Sequence, residues 1–268
     1  MTVQTFPLTG PVNLAARLGH GSLLVRAVDG LDEARVELEG PPDAVERITV
    51  ELSGPTLRVN APRQGGLADV FAALRPGPGA AGPVQVTVTV PSGTALDLST
   101  FTASVTVEGR CGGAAVASAV GTVLLDEVDG DLGVRCGTSQ VEATHVTGAA
   151  RVRSANGSGR FGRVDGDLEV GVGRGTVTAG RVGGRVHWRS GAGEASLDAV
   201  FGDVDIATGS GAVRIGLPAG VTARVDATSG SGEVVSDLPV SDEPANREHV
   251  ITVRARTGTG GVRLFRAA

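Results

Sequence analysis

The sequence predicts an all-β fold: a parallel β-solenoid (β-helix) with 18-residue coils and a β-rich N-terminal cap. Glycine recurs every 18 residues through the middle of the chain, at Gly112, Gly130, Gly148, Gly166, Gly184 and Gly202. Between these glycines apolar and polar residues alternate, which is the period of a β-strand. The strands are short and their turns tight, so crossover helices do not fit. Each coil should therefore pair in parallel with its counterpart one repeat away.

The first 91 residues form the predicted cap, because no 18-residue spacing occurs there. Alternating apolar residues predict strands near residues 12–18, 22–28, 34–38, 47–52, 56–60 and 84–90. A loop with a helical turn at 67–74 and a segment rich in proline and glycine precede the last of these strands. A cap is expected because the exposed end strands of a solenoid otherwise pair with other chains.

Residues 92–268 form the predicted solenoid. Six units of 18 residues follow one another without a gap from Arg110. In each unit the fifth, seventh and ninth positions face the core, and the fourteenth and sixteenth form a second inward row. The third and twelfth positions are the turns, where glycine is expected to adopt a positive φ. One upstream unit at 92–109 and one downstream at 217–235 extend the pattern.

The last strands, at 250–256 and 261–265, are predicted to close the stack. A helix with three equal faces is the alternative, and it would require apolar residues every six positions. Six residues beyond the apolar seventh position lie Thr122, Gln140 and Ser158, which are polar. A flattened or irregular coil therefore fits better.

Composition excludes several classes of chemistry. The sequence has no lysine and no tyrosine, which rules out Schiff-base chemistry and phosphate-binding loops that need a lysine. The formal net charge is −5 without any block of basic residues, so no nucleic-acid partner is predicted. No apolar run approaches the ~20 residues of a membrane span, and membrane insertion is not predicted. With no signal peptide visible, a cytoplasmic location is expected, and surface display would need another export route.

The repeats resemble a known bacterial family. The segments VDGDLEVGVGRGTVTAG, LPAGVTARVDATSGSGEV and VQVTVTVPSG are similar to those of the "putative adhesin" family of unknown function. The resemblance extends from about residue 12 to residue 264 and rests on the repeat pattern. It implies the β-strand-repeat solenoid fold and an adhesive or binding role, and it brings no catalytic residues.

Acidic turns are the first candidate for chemistry. The Asp-Gly-Asp turns at 129–131 and 165–167 resemble those of calcium-binding β-rolls. Calcium requires six to eight oxygen ligands, and the second turn of each coil carries no carboxylate. We therefore predict solvated aspartates and no metal site. Cys111 and Cys136 occupy different repeat positions and are predicted to be small buried hydrophobic residues without a disulfide.

A basic patch is the second candidate. Outward positions collect the residues Arg135, Arg151, Arg153, His187 and Arg189. This patch could bind an anion or a partner, although acidic residues intersperse it, and the alternative is a solvated face of mixed charge. In the fourth-position column, Arg185 is predicted to lie between two carboxylates, ~4.8 Å from each.

The predicted function is a non-enzymatic scaffold or protein-interaction module of adhesin-like type, with no catalytic residues and no cofactor. Its partner would be an unidentified protein or a second copy of the chain. One alternative is a carbohydrate-active solenoid enzyme that uses Arg185, Asp203 and Asp205. Another is a self-polymerising filament with its contact at residues 247–266.

Overall fold

The computed structural model describes residues 1–61, 82–238 and 250–267. In these ranges the chain is all-β, with 20 strands and one short helix, and the strands pair mostly in parallel. Two compact units are present, Met1–Glu127 and Val128–Ala268. The division predicted between residues 91 and 92 stays a prediction. The helical turn predicted at 67–74 lies outside the described residues.

The first unit contains the strands predicted for the cap and two elements that were not predicted. Its elements are β1 (Thr2–Pro7), β2 (Asn13–Val28), β3 (Glu33–Glu39), α1 (Pro42–Val45), β4 (Thr49–Ser53), β5 (Thr56–Asn60), β6 (Val84–Pro91), β7 (Ala95–Cys111) and β8 (Ala114–Val128). The two segments predicted at 12–18 and 22–28 form one continuous strand, β2. Strand β1 and helix α1, which has proline at its start, are the additions.

Strand β2 lies inside the first unit although it comes early in the chain. It pairs in parallel with β7 on one side and with β5 and β6 on the other. Strands β3 and β4 add antiparallel to β6 and β5, and β1 adds to β3. Next to β7 and β8, Gly112 N–H donates to the carbonyl of Thr94, 18 residues earlier, at 2.8 Å. The antiparallel strands thus cover the outer side of the parallel ones.

The second unit contains two strands of 15 residues followed by ten strands of three to ten residues. Its elements are β9 (Leu132–Val146), β10 (Ala150–Val164), β11 (Leu168–Arg174), β12 (Val177–Val182), β13 (Val186–Ala192), β14 (Ala195–Val200), β15 (Val204–Ser210), β16 (Val213–Leu217), β17 (Thr222–Ser231), β18 (Val234–Ser236), β19 (Val250–Thr259) and β20 (Val262–Arg266). From β9 to β16 the partner residues in neighbouring strands are 18 apart. Leu132 pairs with Ala150, Ala150 with Leu168, and Leu168 with Val186.

Inward positions form straight apolar columns in this unit, as the alternation predicts. The fifth-position column is at most 1% exposed from Leu132 to Val204. The seventh-position column contains Trp188, which pairs with Val170 and Ile206 and is 0% exposed. Burial of such columns is the main source of stability in a fold of this kind.

The order of the last strands corrects the sequence prediction. Strands β19 and β20 do not close the stack, because they pair with β15 and β16 on one side and with β17 and β18 on the other. Among the described strands of this unit, β17 and β18 therefore lie beyond β19 and β20. The physical reason is apolar content: β19 and β20 supply Ile251, Val253 and Leu264, which are 0–6% exposed, whereas β17 offers smaller inward residues.

Four of the turn glycines, from Gly130 to Gly184, stack in a single file. Gly148 N–H donates to the Gly130 carbonyl at 2.9 Å, Gly166 to Gly148 at 3.1 Å, and Gly184 to Gly166 at 3.0 Å. The predicted reason for glycine needs correction, however. Among the six third-position glycines only Gly130 has a positive φ, of 139°.

Close stacking explains the other third-position glycines. A Cβ on Gly166 would lie 2.6 Å from the carbonyl oxygen of Gly148. Similar backbone contacts face Gly112, Gly148, Gly184 and Gly202. The twelfth-position glycines do follow the prediction in part, because Gly157 and Gly175 have φ of 151° and 139°.

Candidate functional site

The charged face is the outward surface formed by the fourth, sixth and eighth repeat positions of the second unit. Alternation along a strand turns these side chains to solvent while their neighbours enter the core. Strands β9, β10, β11, β13, β15, β17 and β19 each contribute one row, and the strand pairing places the rows side by side. In spatial order the rows are residues 131–135, 149–153, 167–171, 185–189, 203–207, 252–256 and 224–228.

Charge alternates from row to row on this face. Row 149–153 carries two arginines, row 167–171 two carboxylates, and row 185–189 two arginines and a histidine. Row 203–207 again carries two carboxylates, and row 252–256 again two arginines. Opposite charges therefore face each other across neighbouring strands, the arrangement that favours one pairing register over others.

Glu169 and Asp205 are the acidic centres of this arrangement. Glu169 accepts Arg153 at 3.2 Å and lies 3.6 Å from Arg151. Asp205 binds Arg189 through both carboxylate oxygens, at 3.2 and 2.9 Å, and lies 3.6 Å from His187. A single exposed ion pair contributes little to the free energy of folding. Several such pairs on neighbouring strands together favour one alignment of the strands.

The pKa of Asp205 is lowered from its ordinary value. The hydrogen bonds from Arg189 are the largest cause, and the positive charges of Arg189, His187 and Arg254 act in the same direction, while partial burial opposes them. Asp205 therefore carries a negative charge throughout the neutral pH range. A carboxyl group in this state cannot serve as a general acid near neutral pH.

The fourth-position aspartates accept hydrogen bonds from backbone N–H groups of the neighbouring strand. Asp131 Oδ1 accepts the Ala149 N–H at 2.9 Å, and Asp167 Oδ1 accepts the Arg185 N–H at 2.7 Å. Asp203 Oδ1 accepts the Thr252 N–H at 2.8 Å. The guanidinium of Arg185 lies 3.9 Å from Asp203. Each aspartate thus ties its coil to the next, and Arg185 pairs with one neighbouring carboxylate within the described ranges rather than the two predicted.

The predicted basic patch occupies three rows of the charged face. Arg135 and Arg153 are directly opposed on neighbouring strands, with Arg151 beside them. His187 and Arg189 lie two strands further on, and the row containing Glu169 separates the two groups. Arg151, Arg153, His187 and Arg189 are each paired with a carboxylate, whereas no carboxylate of the described ranges lies within salt-bridge distance of Arg135. Binding by this patch remains a prediction.

Comparison with known proteins gives structural likenesses alone. No family model and no curated protein matches the chain. A "putative adhesin" from Bacteroides fragilis is 15% identical, with 98% of this chain and 96% of its own covered and a TM-score of 0.41. A second, from Parabacteroides merdae, is 8% identical with 98% and 95% covered and a TM-score of 0.44. The chain resembles these "putative adhesin" structures. A "Putative lipid binding protein" from Parabacteroides distasonis is 11% identical, with 100% and 94% covered and a TM-score of 0.40. At these identities and scores the likenesses say nothing of what this chain binds.

The other polar groups singled out in the sequence are engaged within the protein. Asp165 accepts hydrogen bonds from His145 at 2.8 Å and from Arg163 at 2.6 Å, and these hydrogen bonds lower the pKa of Asp165.

Among the residues with a described position, no three metal-ligating side chains cluster closely enough to hold a metal ion. In the same ranges no helix is long and apolar enough to cross a membrane. Cys111 is buried, and Cys136 is partly exposed, both as free thiols.

The last basic row is the part of the charged face that the sequence prediction missed. Arg254 and Arg256 lie opposite Asp205 and Ala207, but their strand was expected at the end of the stack. A signal was available, because the segment RARTGTG at 254–260 places two alternating arginines before a glycine-rich turn. The segment HWRSGAG at 187–193 shows the same pattern.

Proposed function

We propose that the chain is a non-enzymatic scaffold or protein-interaction module of the adhesin-like β-solenoid type, built from 18-residue coils. The observation that carries this proposal is the parallel pairing of residues 18 apart from β9 to β16. Such pairing brings equal repeat positions together, so that surface side chains stand in straight columns ~4.8 Å apart. A partner would then meet a flat surface of fixed geometry.

Stability of the surface supports the binding role. The interior columns are closed apolar stacks, and the aspartate-to-backbone bonds join each coil to the next. A binding surface held on rigid strands loses little conformational entropy when a partner docks. The partner would recognise the alternation of charge rather than a net charge, and Arg135 would be available to an acidic group of the partner. A cytoplasmic location is part of this proposal.

No observation favours the carbohydrate-active alternative at Arg185, Asp203 and Asp205. Glycoside hydrolysis uses one carboxylic acid that stays protonated and a second carboxylate. Asp205 is held ionised by Arg189, and Asp203 is occupied by the Thr252 N–H and lies near Arg185. Both carboxylates are therefore engaged in contacts between neighbouring strands.

Enzyme assays test the functional proposal. The purified full chain is incubated with a panel of polysaccharides, carboxylic esters and nucleotides, beside a heat-unfolded sample as control. We expect the two samples to be indistinguishable. Turnover by the folded sample that Asp203→Ala abolishes would replace the proposal with the enzymatic alternative.

Deletion of whole coils tests the solenoid itself. Removal of residues 168–203 takes out two coils, joins Asp167 to Val204, and brings the row containing Arg151 beside the row containing Asp205, so both register and charge alternation are kept. We expect a folded protein with cooperative urea unfolding. The matched control removes residues 168–194, which joins Asp167 to Ala195 and puts a second-row strand where a first-row strand belongs. If this control folds as well as the two-coil deletion, the 18-residue coil is not the structural unit.

A further inference from the structure

The outer edge of β17 carries a pattern that fits a second copy of the same strand. Residues 222–228 have the sequence TARVDAT. The same residue types stand at equal distances on both sides of Val225, except that Arg224 precedes it and Asp226 follows it. An antiparallel pair of such strands, centred on Val225, would place each Arg224 opposite the partner's Asp226. It would also place alanine opposite alanine and threonine opposite threonine.

We propose that the chain forms a two-fold symmetric dimer in which β17 of each copy pairs antiparallel with β17 of the other, in register at Val225. Residues directly opposed in an antiparallel pair have Cα atoms about 4.5–5.5 Å apart, which lets arginine and aspartate reach each other. Two reciprocal ion pairs would form per dimer. This inference deepens the proposed interaction role and rests on it, because it names the partner as a second copy.

The first supporting observation is the exposure of two valines on β17 and β18, Val225 and Val234. Val225 is the last member of the fifth-position column, which runs through Val204 and Val253. Those two are 1% and 0% exposed, whereas Val225 is 41% exposed. Val234 of β18 is the last member of the inward column that runs through Val213 and Val262. It is 43% exposed, whereas Val262 is 1% exposed. A second copy paired at Val225 would continue the fifth-position column and cover Val225.

The unpaired edge is the second observation. In the ranges that the structure describes, β17 pairs with β19 alone and β18 with β20 alone. The opposite side of β17 therefore presents backbone groups to which another strand can bond. Such an edge readily adds a strand.

Charge distribution is the third observation. The five alternating rows carry one sign each, so the same antiparallel pairing, centred on the fifth position, would form no ion pair in any of them. In the two acidic rows it would place carboxylate opposite carboxylate, and in rows 149–153 and 252–256 it would place an uncharged residue opposite an arginine. Row 224–228 differs, because it holds one arginine and one aspartate. Asp226 lies 3.5 Å from Arg256 of its own chain, and its carboxylate has room for a second arginine. No carboxylate in the described part of the chain lies within salt-bridge distance of Arg224.

Closure distinguishes this dimer from a filament. An isologous contact uses the same edge on both copies, so assembly stops at two. The filament contact predicted at residues 247–266 is not available in the second unit as described, because β19 and β20 are paired on both sides.

Charge reversal tests the register. The full chain and its variants are examined by sedimentation velocity from about 1 to about 100 µM. We expect wild type to have twice the monomer mass of 26.8 kDa. Arg224→Asp or Asp226→Arg alone would create two repulsive pairs and raise the dimer dissociation constant at least about tenfold. The double variant R224D/D226R restores opposite charges and should dimerise again.

Arg174→Asp is the matched control, because it reverses an exposed arginine on β11, a strand that is paired on both sides, and it should leave the dimer intact. Far-UV circular dichroism and urea unfolding verify that every variant is folded. A monomeric wild type at the highest concentration would overturn the proposal, as would species that grow beyond the dimer. Folded single variants that remain dimers, or a folded double variant that does not recover, would overturn the register. None of these outcomes affects the enzyme assays, so the two proposals fail separately.

Discussion

Replacement of Gly166 by alanine tests how tightly the coils stack. The added Cβ would lie 2.6 Å from the carbonyl oxygen of Gly148, 2.7 Å from its carbonyl carbon and 2.9 Å from the nitrogen of Ala149. These are backbone atoms, which cannot rotate away as the end of a side chain can. The two coils must move apart locally, and the hydrogen bond from Gly166 N–H to Gly148, now 3.1 Å, must lengthen.

The expected loss follows from these contacts. Overpacking of a close-packed site costs about 1–3 kcal/mol, and weakening one backbone hydrogen bond adds about 1 kcal/mol. Alanine restricts the unfolded chain, which returns about 0.4–1 kcal/mol. We therefore expect Gly166→Ala to lower the free energy of unfolding by about 1–3 kcal/mol. Gly166 has no positive φ, so this loss measures stacking rather than backbone strain.

Gly171→Ala is the matched control in the same coil. Its Cβ would meet only Arg153 Cγ, at an ordinary 3.9 Å, and alanine is preferred to glycine in a strand by about 0.5–1 kcal/mol. This variant should be as stable as wild type or more so. Urea unfolding is followed by the emission of Trp188, the single tryptophan of the chain. A Gly166→Ala protein within about 0.5 kcal/mol of wild type would refute the close stacking.

Three further predictions concern single side chains. Trp188→Ala removes a fully buried side chain and should lower the free energy of unfolding by about 3–5 kcal/mol; circular dichroism in urea measures it, and a loss below about 1 kcal/mol would contradict the packing. Burial raises the pKa of the Cys111 thiol to about 11, so Cys111 should resist thiol reagents until the protein unfolds. Stability should also fall between about pH 9 and about pH 11, where the unfolded thiol ionises before the folded one; the same fall in Cys111→Ser would contradict this. The lowered pKa of Asp205 stabilises the fold above the unfolded pKa of about 3.9, and this contribution disappears as pH falls through the folded pKa. Asp205→Asn should therefore lose less stability on acidification than wild type in urea unfolding at low pH, and an equal loss would contradict the ion pair.

The regular part of the fold was predictable because one residue type recurs at one spacing. The period of 18 and the alternation within it identified the strands, the file of turn glycines from Gly130 to Gly184, and the inward position of Trp188. These features depend on local pattern, which a sequence displays directly. The all-β class and the mostly parallel pairing followed from the same pattern.

The order of the terminal strands was not predictable in the same way. Chain order suggested that β17 precedes β19 in the stack, whereas β19 lies between β15 and β17. The choice depends on which strand better fills the interior, a competition between distant segments. The inner position is taken by β19, whose Ile251 is larger and more apolar than Ala223, the residue paired with it on β17. In the first unit β2 likewise lies between β6 and β7.

The charged face was predicted in part. The sixth-position column, which contains Arg151 and His187, follows from the repeat, so its placement could be anticipated. The hydrogen bond from the Arg185 backbone N–H to Asp167 could not be anticipated. Whether a carboxylate accepts from a guanidinium or from a backbone amide depends on the geometry of the turn. The reason for glycine at the third position, a close approach of neighbouring backbones, likewise becomes visible in three dimensions.

Distances along one outward column test the stacking of 18-residue segments most directly. Spin labels are placed in pairs at the outward positions 135 and 207, 135 and 256, and 135 and 228, with Cys111 and Cys136 replaced by serine. Electron–electron dipolar spectroscopy measures the separation of each pair. These pairs are four, five and six strands apart. The expected spacings between the labelled sites are ~19, ~24 and ~29 Å. Position 256 is thus expected nearer to 135 than position 228 is, despite its later place in the chain. Distances that do not grow in equal steps, or a shorter distance to 228 than to 256, would contradict the stacking and its strand order.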